Sequence, residues 1–314
     1  ADIDEELLKE AVRTTRPSAG PGAGIESFFF KSGGHRVRLA ANKNSPLRVI
    51  RCCSDVMLIK DGKPIVSGRL EPALSHCPEQ AYLTISGRGV YDCKFCPVPK
   101  LAGETKEREE ILQLVQEAKR TGQLRAISLT SGVESSIEEE AKRLVSIVSA
   151  LRARYDVPIG VSVYPTETSS QDLKQAGATE IKYNVETMDP EIFSRVCPGL
   201  SLEHILKSLE RAVPIFGRNR VSSNFILGLG ESDECVLAGV AKLADMGVIP
   251  ILRPISSHPL RSGDIDIKRP SANRLLSLSR ATKAILKEHD LRPDMAETMC
   301  LPCTGCDITP YRDV

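Results

Sequence analysis

The chain has 314 residues, 41% of them apolar and 26% charged, enough for one large α/β domain with a smaller appendage. Its 42 basic and 41 acidic residues leave a net charge of +1, which gives no reason to expect a nucleic-acid or membrane partner. No apolar run approaches the ~18 residues of a membrane span, and the acidic, amphipathic stretch 1–10 lacks the basic-then-apolar pattern of a secretory signal, so a cytoplasmic protein is expected.

In chain order, the Gly-rich stretch 17–24 (PSAGPGAG) reads as a flexible connection. Short β-like runs follow at 25–30, 37–40 and 47–52. Asp61-Gly62, between apolar alternations over 56–69, signals a hairpin. Residues 1–76 therefore form a β-rich extension. From Ala81 the pattern becomes strand, loop, helix, repeated. The strands are expected at 81–86, 126–131, 159–165, 180–186, 221–228 and 249–255. Helical patterns separate them. One opens on a capping box, Ser136 and Glu139, and another stops at Gly177. Six β/α units in series imply a parallel sheet with helices outside. Six strands are too few for a closed eight-stranded barrel, which predicts a partial (βα)6 TIM-like barrel over 77–290, with a cysteine-rich tail at 291–314. Ligands of such folds collect at the C-terminal ends of the strands. A doubly wound open sheet is the alternative.

Ten cysteines call for a reason. In a reducing compartment, clustered cysteines suggest metal ligation or catalysis rather than disulfides. Cys93-Lys94-Phe95-Cys96 follows the first barrel strand, and two thiolates separated by two residues can bind one metal or one cluster. Phe95 would shield a cluster from water. A zinc knuckle and a redox dithiol are the other readings of this pair. Cys300, Cys303 and Cys306 form a second run, C-x2-C-x2-C, which suits a metal whose fourth ligand is distant. Cys52 and Cys53 are adjacent and otherwise unexplained. Cys197 and Cys235 read as packed helix residues, and His35, His76, His204, His258 and His289 as surface or loop residues. Arg253 and His258 lie where they could face the pocket.

A barrel whose first strand is followed by C-x-x-C with an aromatic between resembles the radical S-adenosylmethionine (SAM) superfamily. That family uses C-x3-C-x2-C to hold a [4Fe–4S] cluster with one iron open to SAM. Here the first cysteine of the pattern is replaced by Gly89. Cys77, giving C-x15-C-x2-C, is the nearest upstream candidate for the third ligand, with Cys52 or Cys53 as substitutes. Later strands carry further likeness to the biotin and lipoyl synthase branch. Ser131 and Gly132 stand where the family receives the SAM amino group. Asn184 and Glu186 resemble the Asn-x-Asp/Glu segment that hydrogen-bonds SAM, chiefly its ribose; a carboxylate suits a vicinal diol. Arg195 corresponds to an Arg that pairs with the SAM carboxylate. Asn224, Ile226, Gly228 and Glu231 resemble the Gly-x-Ile-x-Gly-x-x-Glu segment beside the adenine.

The resemblance implies a 5′-deoxyadenosyl radical, formed by one-electron reduction of bound SAM, that abstracts hydrogen from an unactivated carbon. It also implies an electron donor of ferredoxin or flavodoxin type. The C-terminal triplet suggests an auxiliary [4Fe–4S] cluster acting as sulfur source, its fourth ligand being Cys52 or Cys53. A lipoyl synthase-like sulfurtransferase acting on an octanoylated carrier is expected. The triplet follows the barrel, whereas lipoyl synthases usually carry their auxiliary cysteines before it; this fits an archaeal-type, two-protein lipoyl synthase with a paralogous radical SAM partner. A cofactor-maturation enzyme without sulfur insertion, and a zinc- or cluster-binding scaffold, are the other readings.

Overall fold

The structure, a computed structural model, describes residues 1–11, 25–74 and 76–314. The predicted connection at 17–24 lies outside the described residues.

The first sheet comprises β1 (Asp2–Ile3), then, after helix α1 (Glu5–Ala11), β2 (Ser27–Ser32), β3 (His35–Ala40), β4 (Leu47–Cys52), β5 (Asp55–Lys60) and β6 (Lys63–Glu71). Its order is β1-β4-β5-β6-β2-β3. Asp61 and Gly62 have φ of 50° and 76°, so Lys60 and Lys63 pair across a two-residue turn whose left-handed backbone matches the twist of the strands. Alternation along β2 sends Phe28 and Phe30 into a core with Ile3, Leu7, Val49, Val56 and Leu58. Phe29 points the other way and packs on Cys77 and Cys303. The β-rich extension thus has a core of its own and one aromatic turned toward the rest of the molecule.

The second sheet is the barrel. In chain order its elements are β7 (Gln80–Thr84), α2 (Arg108–Thr121), β8 (Ala126–Thr130), α3 (Ile137–Arg152), β9 (Ile159–Ser162), α4 (Ser169–Ala176), β10 (Glu180–Lys182), α5 (Pro190–Val196), α6 (Leu202–Phe216), β11 (Val221–Leu227), α7 (Asp233–Asp245), β12 (Ile249–Pro254) and α8 (Ala272–Glu288). The six strands are all parallel, in the order β12-β11-β10-β9-β8-β7. The α/β partial barrel expected from the six β/α units is the fold observed. Its helices cover the strands through residues such as Val115, Leu144, Leu209 and Val240, all fully buried. The Ser136 hydroxyl accepts from Glu139 N at 3.2 Å, as the capping box requires, and α4 ends at Gly177 with φ of 107°.

Two departures position the site. The fourth strand, predicted over 180–186, stops at Lys182, and Glu186 takes φ of 58° before bridging to Phe225 of β11. A helix not anticipated from the sequence, α5, follows. Asp189 accepts from Glu191 N and Ile192 N at 2.9 Å, and Pro190 occupies the first helical position, a start signal that the Asp-Pro dipeptide carried.

The expected tail is folded onto the barrel. Met299 N donates to Gln80 Oε1 at 2.8 Å and to Ser128 Oγ at 2.9 Å, and Gln80 Nε2 donates to Met299 O at 3.0 Å. Glu297 N and Thr298 N donate to the two Glu180 oxygens at 2.9 and 3.0 Å. Gln80 and Glu180 open their strands and Ser128 sits midway along its own, so segment 296–301 closes that end of the barrel. A last short helix, α9 (Cys300–Cys303), ends the closure.

Candidate functional site: two groups of cysteines joined to one barrel

The upper group sits beyond the C-terminal ends of the strands. The loop after β7 carries Cys93 and Cys96, both half-buried. Cys96 N donates to Cys93 O at 3.0 Å, which curls the loop into a tight turn. Burial pushes the Cys96 thiol up to about 12. Two contacts hold the loop. Lys94 N donates to Val196 O at 2.8 Å, tying it to the end of α5. Arg261, buried to 1% exposure, donates to Cys96 O at 2.6 Å and pairs with Asp92 at 2.6 Å and Asp264 at 2.8 Å. Arg261 was not singled out in the sequence, because nothing local marks a buried arginine 165 residues away from the carbonyl it serves.

Cys197, read from sequence as a packed helix residue, caps α5 and is buried. Its sulfur is hydrogen-bonded to Cys93, and that contact, followed by burial, raises its thiol far above the ordinary range. Cys77, the upstream candidate for this group, is elsewhere. It precedes β7, forms an isolated bridge with Gln80, and lies at the opposite end of the strand from Cys93. A five-residue strand is roughly 17 Å long, and it runs between the segments that carry the two.

Around the upper group stand the residues expected at a SAM site. Asn184 hydrogen-bonds Glu186 and accepts from Asn224 N at 3.3 Å. Loss of hydration raises the Glu186 carboxyl to about 7, against the pull of Lys182, Arg253 and Asn184. Arg195 Nη2 donates to Leu229 O at 3.4 Å, within the turn that contains Gly228 and Gly230. That turn is braced by Glu231, which accepts from Gly228 N and Leu229 N at 2.8 Å each and pairs with Arg274 at 3.1 Å. Gly228 has φ of 109°, and an added Cβ would come within 2.5 Å of Lys268 O. Ile226 is buried on β11, its N–H given to Glu186 O at 2.7 Å. The Ser131 hydroxyl is already engaged, accepting from Ser86 N at 3.0 Å and donating to the buried Glu140. Gly132 passes so close to Arg88 O that a Cβ there would meet it at 2.0 Å.

The lower group enters from the closed end. Cys77 and Cys303 are buried and hydrogen-bonded to each other, the Cys77 thiol held well above its ordinary value by that contact and the Cys303 thiol below it. Cys300 and Cys306 complete the set, Cys306 at the exposed rim. Cations surround these sulfurs. Arg253 Nη2 donates to Cys300 Sγ at 3.0 Å, Lys182 Nζ to the same sulfur at 3.8 Å, and Arg38 Nη1 to Cys306 Sγ at 3.9 Å. Arg36 reaches Cys303 O at 3.3 Å. His76, read from sequence as a surface or loop residue, lies in the loop before β7 and packs its ring 4.8 Å from that of Tyr82; burial, with Arg38, Arg253 and Lys182 nearby, lowers its pKa well below the ordinary value. Phe29 closes the outside. Cys52 and Cys53 do not join either group among the described residues. They are exposed at the β4–β5 turn, and the thiol that meets the C-terminal triplet is Cys77.

Among the described residues no three His, Cys, Asp or Glu side chains draw together to the spacing of a single metal ion. Neither group is a closed single-ion site among the described residues. A cluster ligated by four thiolates carries net negative charge, and the guanidinium and ammonium groups of Arg253, Lys182 and Arg38 suit it. Lys182 and Arg253, which reach the Cys300 sulfur, also lie within electrostatic reach of Glu186.

The sequence family described as the radical SAM superfamily matches residues 83–241. The chain belongs to that superfamily. The match spans the C-x-x-C loop and five of the six strands. Membership implies a [4Fe–4S] cluster and SAM, and the thiols of the upper group fit the cluster. Curated relatives include a bacteriochlorophyllide c C-7(1)-hydroxylase of Chlorobaculum limnaeum, 26% identical over 63% of this chain and 52% of its own length. A biotin synthase of Thermotoga neapolitana is 30% identical over 54% of this chain and 64% of its own. A lipoyl synthase of Caldanaerobacter subterraneus is 27% identical over 53% and 61%. The radical SAM chain therefore spans about half to two-thirds of the length of these relatives. Among solved structures, methylornithine synthase shares the fold with a TM-score of 0.55 at 19% identity, over 65% of this chain and 61% of its own. No helix among the described residues is long and apolar enough to cross a membrane.

Proposed function

We propose that this radical SAM enzyme inserts sulfur into unactivated C–H bonds, in the manner of lipoyl synthase, with the lower cysteine group holding an auxiliary [4Fe–4S] cluster as the sulfur source. The observation that carries the reading is the meeting of Cys77 with Cys303 and Cys300, with Cys306 beside Cys303, under a cover of cations and Phe29. Four thiols from two distant parts of the chain have no structural need of each other, since one disulfide or one apolar contact would close the barrel as well.

When bound, the upper cluster and SAM supply the radical that removes hydrogen from the substrate carbon. The chain's own residues do the rest. Asn184 and Glu186 offer acceptors to a ribose diol, and Arg195 offers a guanidinium to a carboxylate. The glycine turn at 228–230, braced by Glu231, gives a flat base close access to backbone. Segment 296–301 excludes water from the closed end. Lys182 and Arg253, both reaching the Cys300 sulfur, would offset the negative charge of a cluster held by the lower thiols. An octanoyl chain on a carrier protein or peptide is the substrate, reduction comes from a ferredoxin- or flavodoxin-like donor, and a paralogous radical SAM partner shares the two insertions.

The test is mass spectrometry of an octanoylated carrier peptide after anaerobic turnover with SAM and reductant, with the chain alone and with its paralogue. A gain of sulfur supports the reading. Release of 5′-deoxyadenosine with an unaltered peptide under both conditions rejects it.

A further inference from the structure

We propose that Cys197 is the third thiolate ligand of the SAM-binding cluster, supplying the sulfur that position 89 lacks. Gly89 stands where the C-x3-C-x2-C pattern has its first cysteine, so the loop after β7 offers only Cys93 and Cys96. A cluster that leaves one iron free for SAM needs a third protein ligand.

The other free cysteines are placed away from the opening. Cys77 is hydrogen-bonded to Cys303 at the closed end, near Cys300. Cys52 and Cys53 are exposed on the β4–β5 turn, and Cys235 lies in the first turn of α7. Cys197 alone, among the described residues, brings its sulfur to Cys93.

Three contacts lock the two segments together. Lys94 N donates to Val196 O at 2.8 Å, the Cys93 and Cys197 thiols touch, and Gly199 approaches Tyr91 so closely that an added Cβ would sit 3.3 Å from the ring. Gly199 has φ of 83°, which lets the chain turn back at this point. The segment that carries Cys197 also carries Arg195, so the third ligand and a guanidinium suited to the SAM carboxylate are set by one short helix. Packing alone does not require a thiol here, since an Ala or Val would bury equally well at the end of α5.

The test is iron content per folded chain and the EPR spectrum of the reduced protein, with and without SAM. Cys197→Ser is expected to lose about four irons per chain and the spectral change that SAM induces, while Cys235→Ser keeps both. Gly89→Cys added to Cys197→Ser restores the local three-cysteine pattern and is expected to recover them. There is room for it, because a Cβ at position 89 meets nothing closer than Tyr91 O at 3.8 Å. Wild-type iron content in Cys197→Ser overturns the proposal. So does a loss that Gly89→Cys fails to reverse, because the defect is then not one of ligand number. If Cys197→Ser fails to fold by far-UV circular dichroism, the same count on the double variant decides.

Discussion

Arg253 touches the Cys300 sulfur at 3.0 Å while its guanidinium holds both oxygens of Asp307 at 2.8 and 2.9 Å. The Asp307 side chain is only 1% exposed. Removing one partner of such a pair leaves a buried charge without compensation, at a cost of about 3–5 kcal/mol. Arg253→Met is therefore expected to lower the stability of the metal-free protein by that amount, read from urea unfolding. Arg253→Lys keeps the charge but not the two parallel bonds, and should fall between.

The brace at Glu231 makes a second prediction. Its carboxylate serves Gly228 N, Leu229 N and Arg274, and its side chain is fully buried. Glu231→Ala orphans two buried N–H groups, each costing about 1–3 kcal/mol. We expect a loss of about 2–5 kcal/mol in unfolding experiments, and weaker SAM binding by equilibrium dialysis, because the glycine turn loses its fixed shape.

Gly160 reports on the closure of the barrel. A Cβ there would lie 2.1 Å from Thr298 Oγ1 and 2.7 Å from Met299 Cε. Strand β9 is hydrogen-bonded on both sides and cannot give way, so Gly160→Ala should lift segment 296–301. Limited proteolysis is expected to cut near residue 300 in the variant and to spare the wild type. If the lower group holds the proposed auxiliary cluster, its iron should fall while that of the upper group remains; unchanged protection would count against the closure.

Glu186 sets a pH dependence. Its carboxyl titrates near 7 in the fold against an ordinary 4.5. A raised acid binds its proton more tightly folded than unfolded, so its contribution is most favourable below pH 4.5 and is lost as pH rises to about 7. The loss amounts to about 3 kcal/mol. On moving from pH 5 to pH 8, metal-free wild type should lose more stability than Glu186→Gln. Equal losses would place the carboxyl in water.

Much of the architecture was legible because it is written locally. Asp61-Gly62 marks its hairpin, Ser136 its cap, Gly177 its stop, and the apolar alternation finds all six barrel strands within a few residues. The cysteines were legible only as local runs. Cys93 and Cys96, or Cys300, Cys303 and Cys306, declare themselves by spacing. What spacing cannot carry is which distant sulfur completes each run. Cys77 lies near the upper run in sequence but at the wrong end of its strand in space, and Cys197 lies a hundred residues away yet against Cys93. The N-terminal extension does meet the C-terminal triplet, through Phe29, Arg36 and Arg38 rather than through Cys52 or Cys53. Period-two alternation would have turned Phe29 away from its neighbours, but nothing in the run says toward what.

The floor of the barrel is held by side chains separated from it by most of the chain, Gln80 and Met299 being 219 positions apart. Contacts of such long range carry a large loop-closure cost. Cys77 and Cys303 meet across the same span, so a cluster held by the lower thiols would clamp a loop that takes in all six barrel strands and tie the floor of the barrel shut.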